Sequence, residues 1–263
     1  MKAVEEYIEE YKALNLDDVV DYHKFNEYAV TAHSTQIEGS TLTQEETAML
    51  LNEGITPKGK PLEHSLMVKD HHQALKLALD PEKRKASITL NSICELNAAV
   101  MKNTGQIYNT ALGSVDSSKG ELRKGAVFVQ KRYFPSHEKI PNLIKSLCLE
   151  INDRLDKSLS LRDQIDLSYS VHFNLVSIHP HYDGNGRTSR LLMNQLQSRF
   201  ELPLSVVYKE DKLEYVKALE ASRDEESLKP FRTFMDSQYS KYLKEQIDLY
   251  RSQNRNQGLS FIF

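Results

Sequence analysis

Residues 179–190 read HPHYDGNGRTSR. A histidine stands four residues before an aspartate, Gly-Asn-Gly follows, and two arginines lie three residues apart. Taken singly, each part is ordinary. A lone histidine is more often structural than catalytic, Gly-Asn-Gly is a common turn, and an arginine pair is usually a solvated helix face. Their order asks for more.

Pro180 ends the preceding helix just after His179. The chain then turns through Asp183, Gly184, Asn185 and Gly186, and a new helix is expected to start near Arg187. The start of a helix presents free N–H groups and the positive end of its dipole. Glycines flanking Asn185 allow close backbone approach, so loop amides and helix N-terminus together form an anion hole suited to phosphate. Arg187 and Arg190 share one face of the first turn. Cations are poorly placed there for the dipole, and an anion would explain them. Asp183 beside a phosphate site suits a Mg²⁺ ligand, because Mg²⁺ commonly takes one or two carboxylates plus substrate phosphates. A histidine titrates near neutrality, so His179 can take a proton from an attacking hydroxyl. The parts read together as phosphate-ester or nucleotidyl transfer.

The rest of the chain reads as mostly helical. Val4, Tyr7, Ile8, Tyr11 and Leu14 recur at helical spacing and predict a helix over about 2–15. A second carries Phe25, Tyr28, Ala29, Ala32 and Ile37 and stops at Gly39. Thr43 with Glu46 forms a capping box for a short helix ending near Gly54. Another ends at Asp80-Pro81, and Ile88 to Lys102 is a further one. Residues 104–124 break the helical pattern, and AVFVQKRYF (126–134) predicts a small hairpin. Helices follow over about 141–156, 161–178, 187–199, 211–222 and 227–250. The expected fold class is all-α with one small β-hairpin.

Composition narrows the function classes. Apolar residues at 40% suffice for a core over 263 residues. A net charge of −3 lacks the basic excess of nucleic-acid binders. Cys94 and Cys148 are far apart in helix-like contexts, which suits reduced core thiols. The N-terminus MKAVEEYIEEYK has no apolar signal region, and no run is apolar enough to span a membrane. A cytoplasmic protein without nucleic-acid or membrane partners is expected.

HPHYDGNGRTSR closely resembles the Fic motif, His-Pro-Phe-x-(Asp/Glu)-Gly-Asn-(Gly/Lys)-Arg-x-x-Arg. His179, Pro180, Asp183, Gly184, Asn185, Gly186, Arg187 and Arg190 match, and His181 stands where the family has Phe, usually a buried anchor of the loop. Upstream, HFNLVSI (172–178) fits the helix preceding that motif. Gly120 to Pro141 resembles the Fic flap, a hairpin that aligns the target by strand pairing, here through Val127, Phe128, Val129 and Tyr133. YVKALEA (215–221) is similar, more weakly, to a segment walling the nucleotide base. STQIEG (34–39) fits the family's inhibitory helix motif, although by itself it reads as a simple helix end.

The resemblance implies a protein adenylyltransferase that moves AMP from ATP, with Mg²⁺, to a Ser, Thr or Tyr hydroxyl of an unidentified target protein or of itself. His179 would be the general base and Asp183 the metal ligand. Gly184, Asn185 and Gly186 would hold phosphate oxygens, and Arg187 and Arg190 the outer phosphates. Glu38, supported by Ser34, would pair with Arg190 and inhibit. Three divisions follow: 1–40 with the inhibitory helix, 41–240 as the catalytic core, and 241–263 as helix end and tail. The apolar SFIF at 260–263 could pack in trans and form a homodimer. Transfer of UMP, phosphate or phosphocholine, removal of AMP, and a non-enzymatic regulator are the alternatives.

Overall fold

A computed structural model describes residues 2–16, 22–129 and 132–255. In chain order its elements are α1 (Val4–Lys12), α2 (Tyr22–Ile37), α3 (Gln44–Glu53), α4 (Leu62–Leu79), α5 (Pro81–Lys85) and α6 (Leu90–Val100). Strands β1 (Ile107–Thr110), β2 (Gly113–Asp116), β3 (Phe128–Val129) and β4 (Arg132–Tyr133) come next. The chain closes with α7 (Ile140–Leu155), α8 (Leu161–Ile178), α9 (Asn185–Arg199), α10 (Lys212–Asp224) and α11 (Lys229–Arg255). The fold is mainly helical, as expected. The described residues hold two hairpins rather than one, because β1 and β2 pair antiparallel from Ile107↔Asp116 to Thr110↔Gly113.

The described residues divide into two compact units, one within 1–60 and 201–263 and the other within 61–200. In the first, α1 turns Val4, Ile8 and Tyr11 inward at helical spacing, against α11. Thr43 accepts from the Glu46 N–H at 3.1 Å and Glu46 returns a bond to the Thr43 N–H, the expected capping box. Gly54 ends α3 in the left-handed region at φ 75°. Residues 256–263, where the apolar tail lies, are outside the described residues.

The second unit is built around α9. The side chains from Arg187 to Gln197 are buried on every face, and α4, α5, α6 and α8 pack against the helix. Such a helix must satisfy its polar residues internally. Ser189 donates to the Asn185 carbonyl at 2.7 Å, and Gln195 donates to the Lys83 carbonyl at 3.1 Å. Leu191 and Leu196 are wholly buried, and truncating either to Ala would cost about 2–5 kcal/mol. The predicted hairpin is present as Phe128↔Tyr133 and Val129↔Arg132, with residues 130–131 of its tip outside the described residues.

Candidate active site

Helix α8 ends at His179, whose N–H still bonds the Leu175 carbonyl at 3.0 Å while its own backbone turns left-handed, φ 53° and ψ 60°. Residues preceding a proline avoid the right-handed helical region, and histidine tolerates the left-handed one better than most. His179 thus carries its imidazole just past the end of α8. The Phe134 ring stacks on it, with centroids 4.1 Å apart and planes at 26°.

Between His179 and α9 the loop closes on itself. Asn185 Oδ1 accepts the His181 N–H at 3.0 Å, and Asn185 Nδ2 donates to the His181 carbonyl at 2.9 Å. The Asn185 side chain is therefore spent on loop shape, leaving its main-chain N–H for a ligand. His181 is the buried anchor. It is wholly buried, and its Nδ1 lies 3.2 Å from the Glu121 carbonyl. Because a carbonyl only accepts, Nδ1 carries the proton. Burial pushes the His181 pKa down to about 4, with the Glu121 bond opposing the shift.

Gly184 is the N-cap of α9, at φ 78°. A side chain there would meet Asn97 Nδ2 at 2.7 Å and Met101 Sδ at 2.9 Å, so both the dihedral and the space demand glycine. The first hydrogen bond back to the cap runs from Thr188 N–H to the Gly184 carbonyl at 2.9 Å. The amides of Asn185, Gly186 and Arg187 precede it and have no acceptor within the helix.

Arg187 is buried, and its Nη2 lies 3.2 Å from Asp183 Oδ1 and 3.2 Å from Met101 Sδ. Its Nε and Nη1 are buried with no hydrogen-bond partner. Unpaired donors on a buried cation are costly, and an anion placed there would satisfy them. Arg190 is also buried, one turn on. His71 of α4 is wholly buried near both cations, and burial, then Arg190 and Arg187, push its pKa well down, so it stays neutral. The Asp183 side chain keeps 49% of its surface exposed, next to these donors.

Asp183 is suited to a Mg²⁺ ion that takes most of its ligands from phosphates and water. Among the described residues no group of three or more His, Cys, Asp or Glu side chains could hold a metal alone. The carboxylate, half open and next to an anion hole, fits such shared coordination.

The structure thus brings together His179, Asp183, Gly184, Asn185, Gly186, Arg187 and Arg190 on one loop and helix start. The predicted docking hairpin exposes Phe128 and Tyr133, whose rings lie 4.9 Å apart; Val127 is half-buried, and Val129 pairs through its backbone. In the other unit, Ser34 is buried on α2, and Glu38 is exposed in the turn after it, its N–H bonding the Thr35 carbonyl at 3.1 Å.

Several contributors escaped the sequence reading. Asn97 Nδ2 donates to the Asp183 carbonyl and to Thr188 Oγ1, both at 3.1 Å, pinning the loop to α6. Its signal was available: a polar side chain on the buried stripe of Ile93, Leu96 and Val100. Arg123, only 2% exposed, donates to the His179 carbonyl at 2.8 Å. Tyr108 of β1 stacks on Tyr182 at 4.6 Å, which places the unforeseen first hairpin against the same loop.

Comparison with known proteins gives the same reading of the fold. Residues 87–197 match the Fic/DOC family model. The protein adenylyltransferase Fic of Drosophila grimshawi is 31% identical over 204 residues, 77% of this chain and 39% of that protein. The chain thus spans about two fifths of the length of the curated relative. The crystal structure of a Fic-domain-containing signaling protein from Bacteroides thetaiotaomicron superposes with a TM-score of 0.80 at 23% identity, over 95% of this chain and 97% of that one. Fic-1 of C. elegans gives a TM-score of 0.74 at 23% identity, over 93% of this chain and 69% of that one.

Proposed function

The chain carries a Fic/DOC-family domain over residues 87–197, and on that premise we propose that it transfers AMP from ATP to a hydroxyl of a protein, itself included. The observation that carries the proposal is Arg187. A buried guanidinium has two unpartnered donors beside three amides with no acceptor within the helix, on the loop that also holds His179. That arrangement suits the phosphates of a nucleotide.

ATP would lay its phosphates on the N–H groups of Asn185, Gly186 and Arg187, at the positive end of α9. Arg187 and Arg190 hold the outer phosphates, which keeps the α-phosphate in line for attack. Asp183 would hold Mg²⁺, which when bound neutralises phosphate charge. His179 removes the proton from the attacking Ser, Thr or Tyr hydroxyl, and Phe134 fixes the plane of its ring. The oxygen forms a bond to the α-phosphorus as the bond to pyrophosphate breaks. Pyrophosphate departs on the arginines, and His179 keeps the proton until it returns to solvent. A target segment would pair with the edge of the 127–133 hairpin.

Restraint by Glu38 belongs to the same proposal and rests on the resemblance of STQIEG to the inhibitory motif. A cytoplasmic setting fits the reading; among the described residues no helix is long and apolar enough to cross a membrane.

The test is incubation of the Glu38→Gly chain with α-labelled ATP, Mg²⁺ and a cell lysate, followed by mass spectrometry of all modified proteins, labelled or not. Hydroxyl-linked AMP lost in His179→Ala is the expected result. A different adduct mass would replace AMP with another phosphate-containing group, and no adduct at all would remove the reading.

A further inference from the structure

Arg123 is among the largest fully buried side chains described, and its hydrogen-bond acceptors are all main-chain carbonyls. Nε donates to the His179 carbonyl at 2.8 Å and Nη1 to the Gly125 carbonyl at 2.7 Å, while Nη2 donates to the Pro135 carbonyl. Its own N–H donates to the Pro180 carbonyl at 3.0 Å. Two residues earlier, the Glu121 carbonyl takes the His181 Nδ1–H. Residues 121–123 are therefore laced to residues 179–181.

Gly125 and Pro135 are the two ends of the segment carrying β3 and β4. One planar fork thus ties both roots of the hairpin to the carbonyl of His179. That carbonyl lies at the C-terminal end of α8, where a cation complements the helix dipole. The next residue back from Pro135 is Phe134, which stacks on the His179 ring. The imidazole is thus fixed at its backbone by Arg123 and at its ring by a residue of the same hairpin segment.

We propose that Arg123 is a positioning residue that locks His179 to both roots of the hairpin, so that pairing at the hairpin edge is sensed at the imidazole. It rests on reading His179 as the base and the hairpin as the docking edge. The anion hole contributes nothing to this brace, and none of the brace's hydrogen bonds involves Arg187 or the Asn185–Arg187 amides. Loss of the brace should therefore separate nucleotide binding from turnover. Lysine cannot replace it, because an ammonium is a point charge and not a fork with donors in one plane.

The test compares the full chain with Arg123→Lys, Phe128→Ala and the double variant. The His179 ring is followed by NMR on histidine-labelled protein and assigned by its loss in His179→Ala. ATP affinity is measured by calorimetry, and transfer of label from ATP onto the chain is counted. Arg123→Lys should leave ATP affinity within about twofold and lower turnover on the order of 10–100-fold, the scale of a misplaced reacting group. Phe128, at 55% exposure on the hairpin, can be truncated without opening the core. Phe128→Ala should shift the His179 signal when Arg123 is present and shift it much less when Arg123→Lys leaves only the Phe134 stack between hairpin and ring. A His179 signal indifferent to Phe128→Ala in the parent chain overturns the proposal, whether or not the arginine variant folds. If the signal responds as stated but neither the parent nor the Glu38→Gly chain transfers label, the transfer reading falls and the brace stands. If label is transferred and the signal is indifferent, the brace falls alone.

Discussion

Asn185 holds the main chain of His181 from both sides, accepting its N–H at 3.0 Å and donating to its carbonyl at 2.9 Å. This pair closes the loop between His179 and the start of α9. Asn185→Asp keeps the acceptor but turns the donor into a carboxylate oxygen facing a carbonyl. Stability should drop by about 1–3 kcal/mol, the usual cost of an unmatched buried polar group. Denaturant unfolding reads that loss directly. A variant as stable as the parent would mean that the loop is held without the latch.

His181 gives a pH prediction of definite sign. Its pKa in the folded chain is about 4, below the usual histidine value of 6.5. Between these values the unfolded chain binds the extra proton, so stability rises with pH. The contribution is fully present above about 6.5, is lost as pH falls toward 4, and levels off below it. Between pH 7 and pH 5 the loss is on the order of 2 kcal/mol, at 1.36 kcal/mol per pH unit. His181→Phe removes the ionisable group from this buried site and should flatten the fall by that amount. Urea titrations at the two pH values check it, and parallel curves for parent and variant would contradict it.

The motif was legible because its chemistry and its geometry share a few adjacent residues. Pro180, Gly184 and the arginine spacing announce a helix end, a turn and a helix start, and α9 begins at Asn185, two residues before the expected Arg187. What surrounds the motif was not legible. The β1–β2 hairpin has a two-residue loop, Ala111-Leu112, without the Asn-Gly type of signal, and its strands are short and polar. The Asp80-Pro81 pair reads as a stop, yet Asp80 accepts from the Glu82 and Lys83 N–H groups and starts α5 with Pro81 in its first turn. The role of Arg123 depends on carbonyls up to 56 residues away, contacts that no local pattern encodes. The same holds for the unit assembled from residues 1–60 and 201–263.

Asp183→Ala removes the half-exposed carboxylate that would hold Mg²⁺ and frees Nη2 of Arg187. ATP binding should lose most of its Mg²⁺ dependence, and turnover should fall sharply. Calorimetric titration with and without Mg²⁺ separates the two. An undiminished response to Mg²⁺ would place the ion on other ligands.

Proline at Val127 or Val129 removes a backbone donor from the hairpin without touching the motif. Modification of a target protein should fall more than self-modification, because only the former needs strand pairing in trans. Gel autoradiography of both reactions in one tube gives the ratio. Equal loss would point to a folding defect in place of a docking role.

Glu38→Gly should raise AMP transfer strongly. The resemblance of STQIEG to the inhibitory motif implies a carboxylate–guanidinium pair with Arg190, one of the two cations assigned to the outer phosphates. Charge-assisted pairs of this kind are among the stronger hydrogen-bonded contacts. ATP would have to displace the carboxylate or bind with its α-phosphate out of line, and a displacement of about 1 Å can cost on the order of 10²-fold in rate. Removing the carboxylate frees the cation and removes its repulsion toward phosphate. The structural cost should be small. Glu38 is exposed and lies past Ile37, the last residue of α2, so the helix-interior penalty for glycine, about 1 kcal/mol, should be felt only in part. Self-transfer of labelled AMP is therefore measured for the parent, for Glu38→Gly and for Glu38→Gly combined with Arg190→Ala. The single variant should exceed the parent by about the same factor of 10²; the double should lose most of that gain, since the outer phosphates again lack a cation. A folded Glu38→Gly chain that binds ATP and is no faster than the parent would reduce STQIEG to the plain end of α2.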